Sequence, residues 1–262
     1  MYKRTINRNT IAVFLVMLIG CVNSVNALNI KILSFNVYFD DETGKTRYPK
    51  IIEMMKQGDY DVIALQECTS KFTELLFKDE TFKHYRRSYG NSQHGYQNLI
   101  LTPLNVIGAG DIALPSNMGR SAPYLQLADS TLVVSVHLES GLFDTDMRKQ
   151  QINYILSATR DIPSVVIAGD FNFADGDEEE ELLHQFKDLG AKKKQVTYDV
   201  KINEIAIKNK HFFETSKRLD RIYVKCLKCK AQSFNVSQTN QSDHWPINAD
   251  IENNSSKSLI LN

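Results

Sequence analysis

Short apolar blocks bounded by polar residues recur along the chain. They predict strands at Asn29 to Val37, Asp61 to Gln66, Thr131 to Leu138, Ser164 to Ala168, Arg221 to Lys225 and Trp245 to Ile251. Several are apolar almost without interruption, as in Val62-Ile63-Ala64-Leu65 and Val165-Val166-Ile167-Ala168, which is the pattern of strands covered on both faces. Between them the apolar spacing lengthens to a helical period. Tyr48 to Gln57 has Pro49 near its start and Gly58 just past its end; Asp146 to Thr159 puts Ile152, Ile155 and Leu156 on one side; Glu178 to Leu189 does the same with Leu182, Phe186 and Leu189. Strands alternating with helices, and no repeat or Pro-rich hinge to carry a boundary, predict one α/β domain with stacked sheets and outer helices.

The first 27 residues follow a different grammar. Lys3, Arg4 and Arg8 precede the apolar run Ile11 to Gly20, and Val25-Asn26-Ala27 ends the segment on small residues. This is the order of an export signal, and ten apolar residues are too few to span a bilayer. A transmembrane segment is therefore not expected. Cleavage after Ala27 leaves a secreted or periplasmic protein. The alternative is a lipoprotein anchored at Cys21, because Leu18-Ile19-Gly20-Cys21 resembles a lipobox. The expected organisation is a signal at 1–27, a catalytic domain at 28–251 and a flexible tail at 252–262.

Composition is that of an ordinary globular protein, 42% hydrophobic and 24% charged. The whole chain carries no formal net charge, and the body without the signal holds 28 basic against 31 acidic residues. A body of that balance is not built to grip long duplex nucleic acid by neutralising phosphates, although a pocket for one phosphate remains open to it. A monomer is expected. Three cysteines remain after the signal; Cys226-Leu227-Lys228-Cys229 reads as a local disulfide, two plain thiols, a redox motif or half a zinc site, and no second pair completes the last. The acidic run Asp175 to Glu181 reads as the solvated start of a helix.

The candidate chemistry lies where the apolar blocks end. Asn36 closes the first, Glu67 the second and His137 the third; Asp170 and Asn172 follow the fourth; Asp220 opens the fifth, and Ser242-Asp243-His244 precedes the last. Taken singly, each is an ordinary cap, turn or core residue. Taken together they gather polar groups at the strand ends, where α/β folds place their clefts.

This ordered set resembles the endonuclease/exonuclease/phosphatase superfamily of metal-dependent phosphoesterases. The shared marks are an early strand ending in Asn, Gln66-Glu67, a strand histidine, Gly169-Asp170-Phe171-Asn172, a late aspartate and Ser242-Asp243-His244. Within it, His137-Leu138-Glu139-Ser140, Thr197-Tyr198-Asp199 and Leu219-Asp220-Arg221-Ile222 are similar to the tyrosyl-DNA phosphodiesterase branch that cleaves 5′-phosphotyrosyl bonds. That branch has Trp at the place of Tyr198 and Arg at the place of Ala174. The resemblance implies an α/β fold of two stacked mixed sheets flanked by helices, a four-layer sandwich.

Phosphodiester hydrolysis needs a cation, hydrogen-bond donors and a positioned water. Glu67 is a hard carboxylate suited to Mg2+ or Mn2+, and Asn36 either ligates or orients a bound water. The resemblance adds Asp243 to the metal region and Asp220 as the partner of His244. Asp170 and Asn172, two residues apart, face the same way, so Asp170 can manage the attacking water while Asn172 donates to the phosphate. His137 and Ser140 complete the donors, Tyr198 is a candidate substrate contact, and Trp245 is structural. The expected substrate is a phosphodiester, a nucleic acid or a nucleotide-containing ester. An inositol-phosphate phosphatase or sphingomyelinase-type phospholipase is the alternative among enzymes. A catalytically inactive surface binding protein is the alternative outside them.

Overall fold

The computed structural model describes residues 29–91, 94–209, 214–226 and 229–253. The export segment, Cys21 and nearly all of the C-terminal tail lie outside them. Twelve strands and five helices follow one another as β1 (Asn29–Asn36), α1 (Asp41–Gly58), β2 (Val62–Thr69), α2 (Ser70–Lys78), β3 (Arg86–Tyr89), β4 (Tyr96–Thr102), β5 (Val106–Ala113), β6 (Ser121–Leu127) and β7 (Leu132–His137). Then come α3 (Thr145–Ala158), β8 (Val165–Asp170), α4 (Glu179–Leu182), β9 (Lys187–Asp188), α5 (Glu204–Lys208), β10 (Asp220–Lys225), β11 (Cys229–Val236) and β12 (Ile247–Asn253). No helix among the described residues is long and apolar enough to cross a membrane.

Two six-stranded mixed sheets result, ordered β11-β12-β1-β2-β4-β3 and β5-β6-β7-β8-β10-β9. Each has one parallel pair at its centre, β1 with β2 and β7 with β8, and antiparallel neighbours outside. The apolar blocks are explained by what covers them. Ile30 and Ile32, Val62 and Ala64, Val133, Val166 and Ala168 point between the sheets. The intervening Leu33 and Phe35, Ile63 and Leu65 pack under α1 and α2, while Val134, Val136 and Ile167 pack under α3. The expected four-layer sandwich is the observed one.

Three expectations need correction. The first helix begins at Asp41, not Tyr48, because the Asp40 side chain caps it through Glu42 N; Pro49 therefore sits in its interior. The helix expected over Glu178 to Leu189 shrinks to α4, after which Lys187–Asp188 pairs with β10 as an edge strand. Leu183 and Phe186 still reach the core, but by a turn. Nor is the acidic run a solvated helix start. Glu179 is fully buried against Arg148 at 2.7 Å, and Asp175 and Glu180 meet Arg218 and Arg221, which also hold Asp188. Buried carboxylates need such partners, and these come from distant segments. Cys226 and Cys229 form the local disulfide at the β10–β11 connection, and Cys68 is a buried thiol.

One glycine has no substitute. Gly169 lies opposite Val136 in the parallel pair, at φ +154°, and a Cβ built on it would come within 1.9 Å of the Val136 carbonyl oxygen. Only a bare backbone lets β8 run this close to β7 just before Asp170. Gly169→Ala should lower stability by about 3 kcal/mol, read from urea denaturation; a loss below about 1 kcal/mol would show that the strands can part here.

Candidate active site

The parallel pairs deliver their polar ends to one edge of the sandwich. His137 and Asp220 both lie opposite Asp170 in strand register, so the three share one level across β7, β8 and β10. Asn36 arrives from the other sheet at the end of β1. Glu67 is aimed by an irregularity: the β2–β4 register shifts between Leu65 and Cys68, and Glu67 has φ +60°. Tyr38 at +61° and Asn172 at +54° join it in the left-handed region. Such strain costs about 1–3 kcal/mol per residue, and here it gathers at one edge.

Asp170 is the centre. Its Oδ2 accepts from Asn36 Nδ2 at 3.1 Å, and the Nε2 atoms of His137 and His244 each stand 3.6 Å from the same oxygen. Its Oδ1 accepts from the Asn172 backbone N–H at 3.0 Å. Burial raises the carboxyl to about 6, with His244 pulling it down and Asp220 pushing it up. The two histidines differ in charge. Burial, then the Arg120 cation, then His244 hold His137 well below its ordinary value. Arg120 Nη1 approaches its Nδ1 at 2.9 Å, which makes Nδ1 the acceptor and puts the proton on Nε2. For His244 burial also disfavours the cation, but Asp220 at 2.8 Å on Nδ1 and Asp170 beyond outweigh it and hold the pKa well above the usual value. Thr197 Oγ1 accepts from the Leu219 and Asp220 N–H groups and fixes the partner in turn.

Glu67 and Asp243 make up the other half. Burial and the Asp243 charge push Glu67 to about 7, against the Asn36 amide and His244. Its oxygens accept from Asn36 Nδ2 and the Phe39 N–H, and Asp243 accepts from Asn209 and Ser242. Among the described residues neither acid is paired with a lysine or arginine. Asp170, Asp220 and His244 also bring ligand atoms within 4.8 Å of one another. That cluster already holds the His244 cation, whereas the Glu67–Asp243 side offers carboxylate oxygens without one, the donor set that hard divalent ions take.

These groups floor a pocket of about 360 Å³. Ser140 and Asn172 line it, one amide hydrogen of Asn172 being committed to the Leu138 carbonyl. Tyr198 lines it too, though almost wholly buried, with its ring edge-on to His244 and its hydroxyl donating to Asn209 O. Asn36 turns its amide nitrogen to the carboxylates and its oxygen to Tyr38 N, an orienting posture. Trp245 is buried and donates to Thr239 O, as expected of a structural residue. The whole expected set thus converges. What the sequence pattern missed is the wall. Phe39 stacks on Tyr96 at 5.2 Å, and Arg120 lies over Tyr96 with its carbon 5.6 Å from the ring centre. Arg120 sits in a loop whose positions show no period, and only the neighbouring Gly119, at φ +69°, marks the turn that carries it.

A sequence profile of the endonuclease/exonuclease/phosphatase family matches residues 33–244. The chain belongs to this family. Its members are hydrolases acting on phosphoesters. No curated protein sequence matches the chain. Among solved structures, truncated TDP2 from Caenorhabditis elegans is similar with a TM-score of 0.71 and 23% identity over 86% of this chain and 98% of that one. TDP2 from D. rerio, complexed with a single-strand DNA product, gives 0.73 and 22% over 85% and 98%. An endonuclease/exonuclease/phosphatase from Bacteroides vulgatus gives 0.71 and 19% over 86% and 99%. At these identities the likeness is one of fold.

Glu67 sets a pH-dependent cost. Its native pKa of about 7 lies above the ordinary 4.5, so between those values the native state holds a proton that the unfolded chain has released, and stability falls as pH rises. In EDTA, Glu67→Gln should melt above the wild type by a margin that is small at pH 5, widens up to about pH 7 and levels off above it. A margin that is equal at pH 5 and pH 8 would contradict this.

Proposed function

We propose that this family member is an exported, divalent-cation-dependent phosphodiesterase acting on short or single-stranded nucleic-acid phosphodiesters, 5′-aryl esters among them. The observation that carries the reading is the meeting of His137, His244 and Asn36 on one oxygen of Asp170, beside Glu67 and Asp243, at the floor of an aromatic pocket. Glu67 and Asp243 would hold Mg2+ or Mn2+, which when bound polarises a phosphoryl oxygen and neutralises the charge that grows there. Asp170, largely ionised at neutral pH, orients the attacking water and takes its proton. The neutral His137 and the charged His244, whose Nε2 atoms flank Asp170, would each offer an Nε2–H to a phosphoryl oxygen, and Asn172 and Ser140 would add donors. Asp220 keeps His244 charged and fixes the orientation of its ring.

The wall supports an aryl ester. Tyr96 and Phe39 offer ring faces, and Arg120 brings a flat cation to a place where a phenolate oxygen can leave. This guanidinium stands in a site that lacks the family branch's arginine at Ala174. Export is supported by the charged, apolar and small-residue order of residues 1–27 and by the Cys226–Cys229 disulfide, a bond of oxidising compartments.

A substrate panel tests the reading: a 5′-tyrosyl oligonucleotide, single-stranded and duplex DNA, RNA, an inositol polyphosphate and sphingomyelin, each with Mg2+, Mn2+ or EDTA. Turnover should require the cation and favour the 5′-aryl and single-stranded substrates. Glu67→Gln and Asp170→Asn should each lose about 100-fold or more in kcat. Turnover of the lipid or inositol substrate alone, or full activity in EDTA, would overturn the proposal. Arg120→Gln separates the aryl reading from the general one. It should cut kcat/KM for the 5′-tyrosyl substrate about tenfold more than for an unmodified oligonucleotide, and an equal loss on both would remove the aryl assignment.

A further inference from the structure

Arg47 lies in α1, outside the strand-end set, and is 4% exposed. A buried guanidinium must have its donors satisfied, and all five N–H groups of this one are. Nε donates to Thr43 Oγ1 at 2.8 Å; Nη1 donates to the carbonyls of Val37 at 3.0 Å and Gln241 at 2.6 Å; Nη2 donates to those of Tyr38 at 3.0 Å and Asp40 at 2.7 Å. Its central carbon also lies 5.1 Å from the Tyr38 ring centre and 5.2 Å from that of Tyr48. No carboxylate is among these partners. The charge is spent on backbone carbonyls, and the planar fork sets where those carbonyls stand.

The carbonyls belong to two loops. One, Val37 to Asp40, follows β1; it holds Tyr38 in its left-handed conformation and supplies the Phe39 N–H that binds Glu67 Oε2 at 3.0 Å. The other, ending at Gln241, leads directly into Ser242 and Asp243. Arg47 is thus tied through one loop to the support of Glu67 and through the other to the backbone of Asp243, without itself lining the pocket. We infer that Arg47 is a positioning residue that sets the spacing between the Glu67 and Asp243 sides of the cation site. The inference rests on the cation site proposed above and assigns the residue that pre-organises it. A lysine keeps the charge and much of the buried stem, but its single ammonium cannot span both loops with in-plane donors.

The test measures Mn2+ binding to the full chain by titration calorimetry, with melting temperature in EDTA as the check on folding and with the Mn2+ dependence of oligonucleotide hydrolysis alongside. Arg47→Lys and Arg47→Met should each bind Mn2+ about tenfold or more weakly, the scale of losses when residues behind metal ligands are changed. Their kcat at saturating Mn2+ should stay within about threefold of wild type, because Asp170, His137 and His244 are untouched. A role confined to stability would lower the melting temperature and leave the Mn2+ constant of the folded Lys variant unchanged. Arg47→Lys binding Mn2+ within twofold of wild type therefore overturns the assignment, whatever becomes of Arg47→Met. Wild-type protein that binds no Mn2+, or binds it no better than Glu67→Gln, overturns the cation site itself and this inference with it.

Discussion

A charged carboxylate buried at the junction of two sheets is costly unless neighbours compensate its charge, and those of Asp170 are drawn from both. Asn36 reaches it from the first sheet; His137, and His244 backed by Asp220, surround it at the level of the second. The geometry that makes this carboxylate tolerable also rings it with donors at the floor of the pocket. Gly169 serves the same end, since β8 has to run against β7 for Asp170 and His137 to stand opposite each other. Burial, with the Arg120 cation beside it, disfavours the charged form of His137, so that one histidine is a neutral donor and the other a cationic one.

The fold class and the floor of the site were legible because both follow from local patterns. A continuous apolar run implies a strand covered on both faces, and the first polar residue after it falls at the sheet edge. The helix over Asp146 to Thr159 was equally plain. What escaped was structure decided elsewhere in the chain. β5 alternates half-buried with exposed positions and is rich in glycine and alanine, and β6 carries Pro123, so neither reads as an apolar block. The acidic run looked solvated because its partners, Arg218 and Arg221, lie some forty residues away. Arg47 and Arg120 are ordinary surface residues to any periodicity, yet each is buried by loops whose paths only the assembled fold defines.

The pocket divides its labour between rigid and aromatic parts. Its floor is carried on strand ends and strained backbone positions, which hold donors to a narrow geometry. Its wall is built of Phe39, Tyr96 and Met118 with Arg120, apolar and aromatic surface beside a flat cation that demands no one hydrogen-bond pattern. Chemistry common to phosphoesters and selectivity peculiar to this chain can therefore vary separately.

The order of strands in the first sheet has a consequence for how the chain is made. β12 lies between β11 and β1, so the first strand of the domain pairs on one side with its last. Ser242 Oγ donates to the Asn36 carbonyl across 206 residues of sequence. A nascent chain emerging from the N-terminal end holds β1 with that side unpaired until almost the whole domain has been synthesised. The pairings that close the site are among the most distant in sequence and the slowest to form. The groups of the site thus come together only once synthesis is nearly complete, and until then the chain carries its acids and histidines apart from one another.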